Sequence, residues 1–163
     1  MSEALRPLLA LSRAELKERV LELGGRAFHA KIAREALFAG ARSYSEMTSL
    51  PAGLREALHA EVPLLSSELR HTSRATDGAT KLLLGFPSRD HGSDEVETVH
   101  IPPHNPKSPK GATLCVSTQV GCPVACPFCA SGLAGLVRNL SAHEVIEQFL
   151  RDRKSTRLNS SHA

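Results

Sequence analysis

Three cysteines, Cys122, Cys126 and Cys129, fall in the run Gly121-Cys122-Pro123-Val124-Ala125-Cys126-Pro127-Phe128-Cys129 at the spacing C-x3-C-x2-C. Thiolates are the protein ligands of iron–sulfur clusters, and three from one short loop can hold three irons of a cubane. The fourth iron is then left without a protein ligand, and an open metal position is one where chemistry can take place. Two plainer readings stand beside this one. Zinc could use the same three thiols with Cys115 or a histidine, although zinc sites usually draw on two separated C-x2-C arms and here there is one arm of three. Disulfides are the other; they form in oxidising compartments, and no signal-peptide layout precedes these cysteines.

The elements that must position the loop can be read on either side of it. Thr113-Leu114-Cys115-Val116-Ser117-Thr118-Gln119-Val120 is rich in β-branched and apolar residues at strand length. After the loop, Ser141 and Glu144 stand at capping-box spacing, and apolar residues at 145, 146, 149 and 150 predict a helix. The cysteines thus lie on a strand–loop–helix unit, at the C-terminal end of the strand, where parallel α/β barrels gather their catalytic groups. On that strand Cys115 shares a face with Ser117 and Gln119, while Leu114, Val116 and Val120 point the other way. A thiol among polar groups is a candidate reactive group, with an inert buried cysteine as the alternative.

Upstream, residues 1–65 read as a small helical domain. Ser12 and Glu15 form a capping box before the stripe Leu16, Val20 and Leu23, and Gly24-Gly25 ends that helix. A second helix is predicted from about Ala27 to Phe38 with Phe28, Ile32, Ala36 and Leu37 on its apolar face. A third element begins near Ser43, and after Pro51 a short helix carries Leu54, Leu58 and Val62. Residues 66–112 change period: Lys81–Phe86 and Val96–Ile101 read as two strands, followed by a proline-rich loop over 102–111. Period-2 alternation puts Glu97 on the side of Val99 and Ile101, which makes it either a paired or partly buried proton acceptor or a plain exposed edge-strand glutamate.

The net charge is +3. Residues 152–162 resemble a reading frame through a sequencing-adapter oligonucleotide, and 152–163 is read as a non-native tail. Without it three basic residues and one acid drop out, and the remaining charge near +1 points to no class of partner. No apolar run is long enough for a bilayer, so a cytoplasmic protein without a membrane partner is expected.

Several segments together resemble the radical S-adenosylmethionine (SAM) adenine-C2 RNA methyltransferases: Thr113–Cys122, the other two loop cysteines, Ala130-Ser131-Gly132, Gly135, Arg138-Asn139-Leu140, and upstream Asp77–Lys81 and Val96–Pro102. The similarity covers most of residues 8–150. It implies an α/β fold in which the helical domain helps engage RNA and 113–151 begin an incomplete radical-SAM barrel of partial TIM type. It also implies a 4Fe-4S cluster on Cys122, Cys126 and Cys129 as metal ligands, with SAM on the open iron. Glu97 stands where that family has its proposed proton acceptor, and Cys115 where a cysteine helps remove the adenine C2 proton and resolve the RNA adduct. Phe128, the only aromatic inside the loop, is the expected cofactor-binding residue. Ribosomal RNA, transfer RNA in dual-specificity members, and an electron donor protein are the implied partners. Two features depart from the family. Leu136 stands where an aromatic is common, and the methyl-carrying cysteine far downstream is absent. The expectation is therefore an N-terminal piece that does not itself catalyse methyl transfer. A small zinc-binding RNA-interaction module and a truncated product without autonomous function are the alternatives.

Overall fold

The computed structural model describes residues 5–88, 93–103, 111–124, 126–133 and 135–157. The chain divides into two units, Met1–Ser66 and Ser67–Ala163. Among the described residues no helix is long and apolar enough to cross a membrane.

In the first unit, α1 (Arg13–Glu22), α2 (Ala27–Ala39) and α3 (Ala52–Glu61) each bury apolar residues. The capping box at α1 forms in both directions: the Glu15 amide donates to Ser12 Oγ at 3.2 Å and the Ser12 amide to Glu15 Oε2 at 2.7 Å. Leu16, Val20, Leu54, Leu58 and Val62 are buried as their spacing predicts. On α2 the buried stripe is rotated from the expected one. His29, Ala30, Ala33 and Leu37 face inward, and Phe28 is 53% exposed. Two alanines on the inner face let a neighbouring helix approach closely, and Phe28 instead meets the His29 ring edge-on with centroids 4.4 Å apart. Gly25 marks such a close approach, since a Cβ there would come within 2.7 Å of a Val20 methyl carbon and 2.9 Å of a Leu54 one.

In the second unit, β1 (Glu68–Arg74), β2 (Thr80–Pro87), β3 (Ser93–Ile101) and β4 (Thr113–Cys115) form an antiparallel sheet in that order. A second, two-stranded antiparallel sheet pairs β5 (Gln119–Gly121) with β6 (Leu136–Asn139), and α4 (Ala142–Arg157) follows. Leu82, Leu84 and Phe86 of β2, Val96 of β3 and Val120 of β5 make the core, with Leu140 packed against it. Alternation along β3 buries Asp94, Val96 and Thr98 and turns Glu95 and Glu97 outward.

Four expectations change here. The single strand expected over 113–120 is two strands in different sheets, broken at Val116–Thr118, so Cys115 and Gln119 do not share one strand face. Strand β1 has no counterpart in the sequence reading, because every residue of this edge strand is exposed and its composition carries no apolar alternation. On α4 the expected apolar face is largely turned to solvent: Ile146 and Phe149 are exposed, while Glu144, Glu147 and Gln148 are buried with Leu150. The helix also runs on to Arg157 through the segment read as a tail. That segment contains no proline or glycine to stop it. Among the described residues every strand pairing is antiparallel. Most of the proline-rich loop, residues 104–110, lies outside the described residues.

Candidate active site

Strand β4 delivers Cys115 to β3, where it stands opposite Val99 in the antiparallel register. The buried hydroxyl of Thr98 donates to the Cys115 carbonyl at 2.7 Å and fixes the backbone that carries the thiol. Two residues further on, Ser117 Oγ donates to the carbonyl of Glu97 at 2.7 Å. The Glu97 carboxylate accepts an ion pair from Lys81 Nζ on β2 at 2.9 Å, with the two side chains about half exposed. Glu97 is thus both solvent-facing and paired, and its strand lies between β2 and β4 rather than at an edge. The Cys115 thiol is exposed.

These residues line one open cleft of about 490 Å³, with Glu97, Val99, Cys115 and Ser117 on its walls and Gly121 and Ser131 from the two ends of the cysteine loop. A carboxylate and an exposed cysteine thus line the same water-accessible concavity. The structure therefore brings the two expected catalytic residues together at the edge of the loop that carries the other three cysteines.

That loop is closed at its base. Gly121 takes φ +73°, and the Cys122 amide donates to the Gly135 carbonyl at 3.0 Å. A Cβ at position 121 would lie 2.0 Å from that carbonyl oxygen, so only glycine lets the two arms approach this closely. Inside the loop the Cys129 amide donates to the Cys126 carbonyl at 3.0 Å, forming a tight turn. All four cysteines are free thiols, and Cys122, Cys126 and Cys129 are half-buried. Among the described residues no group of three Cys, His, Asp or Glu side chains is gathered closely enough to hold a metal ion. The donor set itself fits a cluster: three free thiols lie on one short loop with a closed base, and Cys115 stands in the cleft rather than with them as a fourth ligand. Phe128 stands 89% exposed on the loop.

Three polar anchors hold the cleft and loop in place. Arg138, just after the loop on β6, donates from Nε to the buried Asp94 of β3 and from both terminal nitrogens to Glu144 of α4, at 2.9 and 2.8 Å. Burial acts to raise the pKa of Glu144, but hydrogen bonds from Arg138 and Ser141 more than offset it and hold the carboxyl below its ordinary value. Half of the capping box expected at α4 is present. The Ser141 amide donates to Glu144 Oε2 at 2.7 Å, but the Ser141 hydroxyl donates to the same carboxylate instead of capping an amide. Gln119 Nε2 donates to Asn139 Oδ1 across the second sheet at 2.8 Å. The third anchor is the buried amide of Gln148, which holds the backbone of Ser117. Sequence reading leaves the roles of Arg138 and Asn139 open and does not find Thr98, Ser117 or Gln148. The available signal was Thr98 at inward strand parity with Val96, and Gln148 one helical turn from Glu144.

No family model matches the chain. It is 42% identical over 157 residues to a "probable dual-specificity RNA methyltransferase RlmN" of Parasynechococcus marenigrum, a match that covers 95% of this chain and 43% of the relative. A protein of the same name from Thermosynechococcus vestitus is 42% identical over 144 residues, covering 88% of this chain and 40% of that one. The chain is homologous to RlmN. A crystal structure of a radical SAM methyltransferase from Sphaerobacter thermophilus superposes with a TM-score of 0.75 at 32% identity, covering 97% of this chain and 44% of that chain. The chain thus spans about two fifths of the length of its RlmN relatives. The mixed architecture, helices followed by antiparallel strands and a C-terminal helix, matches part of a radical SAM methyltransferase.

Proposed function

We propose that this chain is the N-terminal part of a radical-SAM methyltransferase that methylates C2 of an adenine in large-subunit ribosomal RNA, and in transfer RNA if it is of the dual-specificity type. The observation that carries the reading is the shared cleft, which sets Glu97 and Cys115 on walls that end at the cysteine loop. Cys122, Cys126 and Cys129 would hold a 4Fe-4S cluster, which when bound supplies reductive cleavage of SAM. In this reading Phe128, exposed on the cysteine loop, would contact the cofactor, and residues 113–151 would belong to a radical-SAM barrel.

The chain's own residues would handle the substrate. Glu97, oriented by Lys81, accepts the proton that leaves adenine C2. Cys115, whose carbonyl is held by Thr98, helps remove that proton and resolve the RNA adduct. The helical unit contributes RNA contacts, and an electron donor protein supplies the reducing equivalents.

Anaerobic reconstitution with iron and sulfide tests the cluster assignment. About four irons per chain and a brown colour are expected. Each of Cys122→Ala, Cys126→Ala and Cys129→Ala should abolish both, whereas Cys115→Ala should leave them intact. A colourless chain that takes up zinc instead, or loss of iron in the Cys115 variant, would refute the assignment. For the cleft, an adenine-containing RNA hairpin should slow alkylation of Cys115 relative to a hairpin lacking unpaired adenine. Equal rates would remove the cleft from the reaction.

A further inference from the structure

Gln148 is fully buried on α4, and its amide oxygen and one of its amide hydrogens bond the same residue. Its Oε1 accepts from the Ser117 amide at 2.8 Å, and its Nε2 donates to the Ser117 carbonyl at 2.8 Å. Ser117 lies where the chain has left β4 and not yet entered β5, so no strand supplies these two bonds. Backbone groups left unpaired in a part-buried position are costly, which is why such a break in a strand needs a substitute partner. Gln148 is that substitute: a side-chain amide carries the same one-donor, one-acceptor face as a neighbouring strand. The third tie on Ser117, from its hydroxyl to the Glu97 carbonyl, points at the opposite wall of the cleft.

We propose that Gln148 is a positioning residue of the candidate active site. Its amide sets the course of Val116–Thr118, and so the separation of Cys115 from Glu97 across the cleft. This rests on the reading that the cleft is where the adenine reacts, and the two are separable by experiment. The requirement is specific in chemistry and length. Methionine fills the same volume with neither donor nor acceptor of adequate strength. A carboxylate keeps the acceptor and loses the donor, and its neutral acid has both.

Amide hydrogen exchange on the intact chain, read by NMR, tests the proposal. In Gln148→Met the Ser117 amide should exchange at least about tenfold faster. The carboxyl carbon resonance of Glu97 and the Cβ resonance of Cys115 should both shift, while the Leu84 and Val96 amides in the core keep their rates. If the methionine variant does not fold, Gln148→Glu serves. Ser117 protection should be lost where the carboxyl is ionised and return on acidification, with the wild type at each pH as reference. That reference is needed because Glu144, Arg151 and Asp152 lie one turn away on α4 and Glu97 stands across Ser117. Unchanged Ser117 exchange in Gln148→Met overturns the proposal, as does faster exchange that spreads equally to the core, or protection in Gln148→Glu that ignores pH. If RNA fails to protect Cys115 in the wild type while these signatures appear, the functional reading of the cleft falls and the positioning role of Gln148 stands.

Discussion

Replacing Arg138 with methionine removes the cation that bonds two nearly buried carboxylates. The Asp94 side chain is 3% exposed and that of Glu144 9%, and Arg138 bonds both. Burying an unpaired carboxylate is far more expensive than burying a paired one. Breaking a buried ion pair by deleting one partner typically costs about 3–5 kcal/mol. Arg138 itself is about one third exposed, and α4 offers its N-terminal dipole to Glu144, so water and the helix offset part of the loss. The lower end, roughly 3 kcal/mol, is expected at pH 7. A domain of this size has about 5–15 kcal/mol in all, so most of a modest reserve would go, and the melting temperature should fall by more than about 10 °C.

The pH dependence supplies a second check. In the wild type the Glu144 pKa is lowered in the folded state, so its contribution is present above the unfolded value of 4.5 and is lost as pH falls through the folded one. In Arg138→Met the attraction is gone and burial remains, so Glu144 takes up a proton more readily and the deficit against wild type shrinks in acid. Urea titrations followed by far-UV circular dichroism at pH 7 and near pH 4.5 measure both quantities. Tyr44 is the single tyrosine and there is no tryptophan, so near-UV signal from the buried Tyr44 reports the first unit. Arg138→Lys keeps the charge without the planar fork and should fall between the two. A deficit under about 1 kcal/mol at pH 7, or one that grows in acid, would show that the triad does not carry the stability assigned to it.

Two further outcomes follow from single residues. The Glu15 pKa is lowered to about 2, chiefly by its hydrogen bond to Arg6 with the Ser12 amide and hydroxyl adding to it, so its stabilisation of α1 should be intact above about pH 4.5 and fade toward pH 2. Ser12→Ala should cost about 1 kcal/mol and leave most of that acid dependence in place, because the Arg6 bond and the Ser12 amide remain, whereas Arg6→Met should flatten it; the near-UV signal of Tyr44 reads both, and an acid limb unchanged in Arg6→Met would refute the assignment. Gly121→Ala should impair iron uptake and thermal stability more than Gly135→Ala. Both positions have positive φ, but only at 121 does the new Cβ collide with a backbone oxygen, so equal effects would mean the base of the loop is not as drawn.

Much of the candidate site was legible in the sequence because its signals are local. Three cysteines within one short loop are read by spacing alone, as are Ser12 and Glu15 at the start of α1, since their partners lie within a few residues. The first-unit core was legible at α1 and α3, where large aliphatic residues fall one helical turn apart, and misread at α2, where alanines rather than Phe28 face inward. The break at Val116–Thr118 was not legible. Thr113–Val120 has the composition of one strand, and what divides it is an amide 31 residues away. The pairing of Arg138 with Asp94, 44 residues apart, is of the same kind. Long-range polar contacts leave no periodicity behind them.

The same contacts explain why α4 presents a polar face to its own unit. A helix that merely covered a core would place Ile146 and Phe149 inward and leave its charges to water. Here the inward positions hold Glu144, Glu147 and Gln148, and each satisfies a specific group where the chain changes direction. Glu144 takes Arg138 beside the cysteine loop, Glu147 accepts from the Ser67 amide at the entry to β1, and Gln148 spans Ser117 between the two sheets. Apolar contact would stabilise the helix over a range of positions, because burial is non-directional. Buried hydrogen bonds tolerate little displacement and are costly when broken. Such a helix contributes less to bulk stability than an apolar one would, and it fixes the relative placement of Glu97, Cys115 and the cysteine loop, which is what a shared cleft requires.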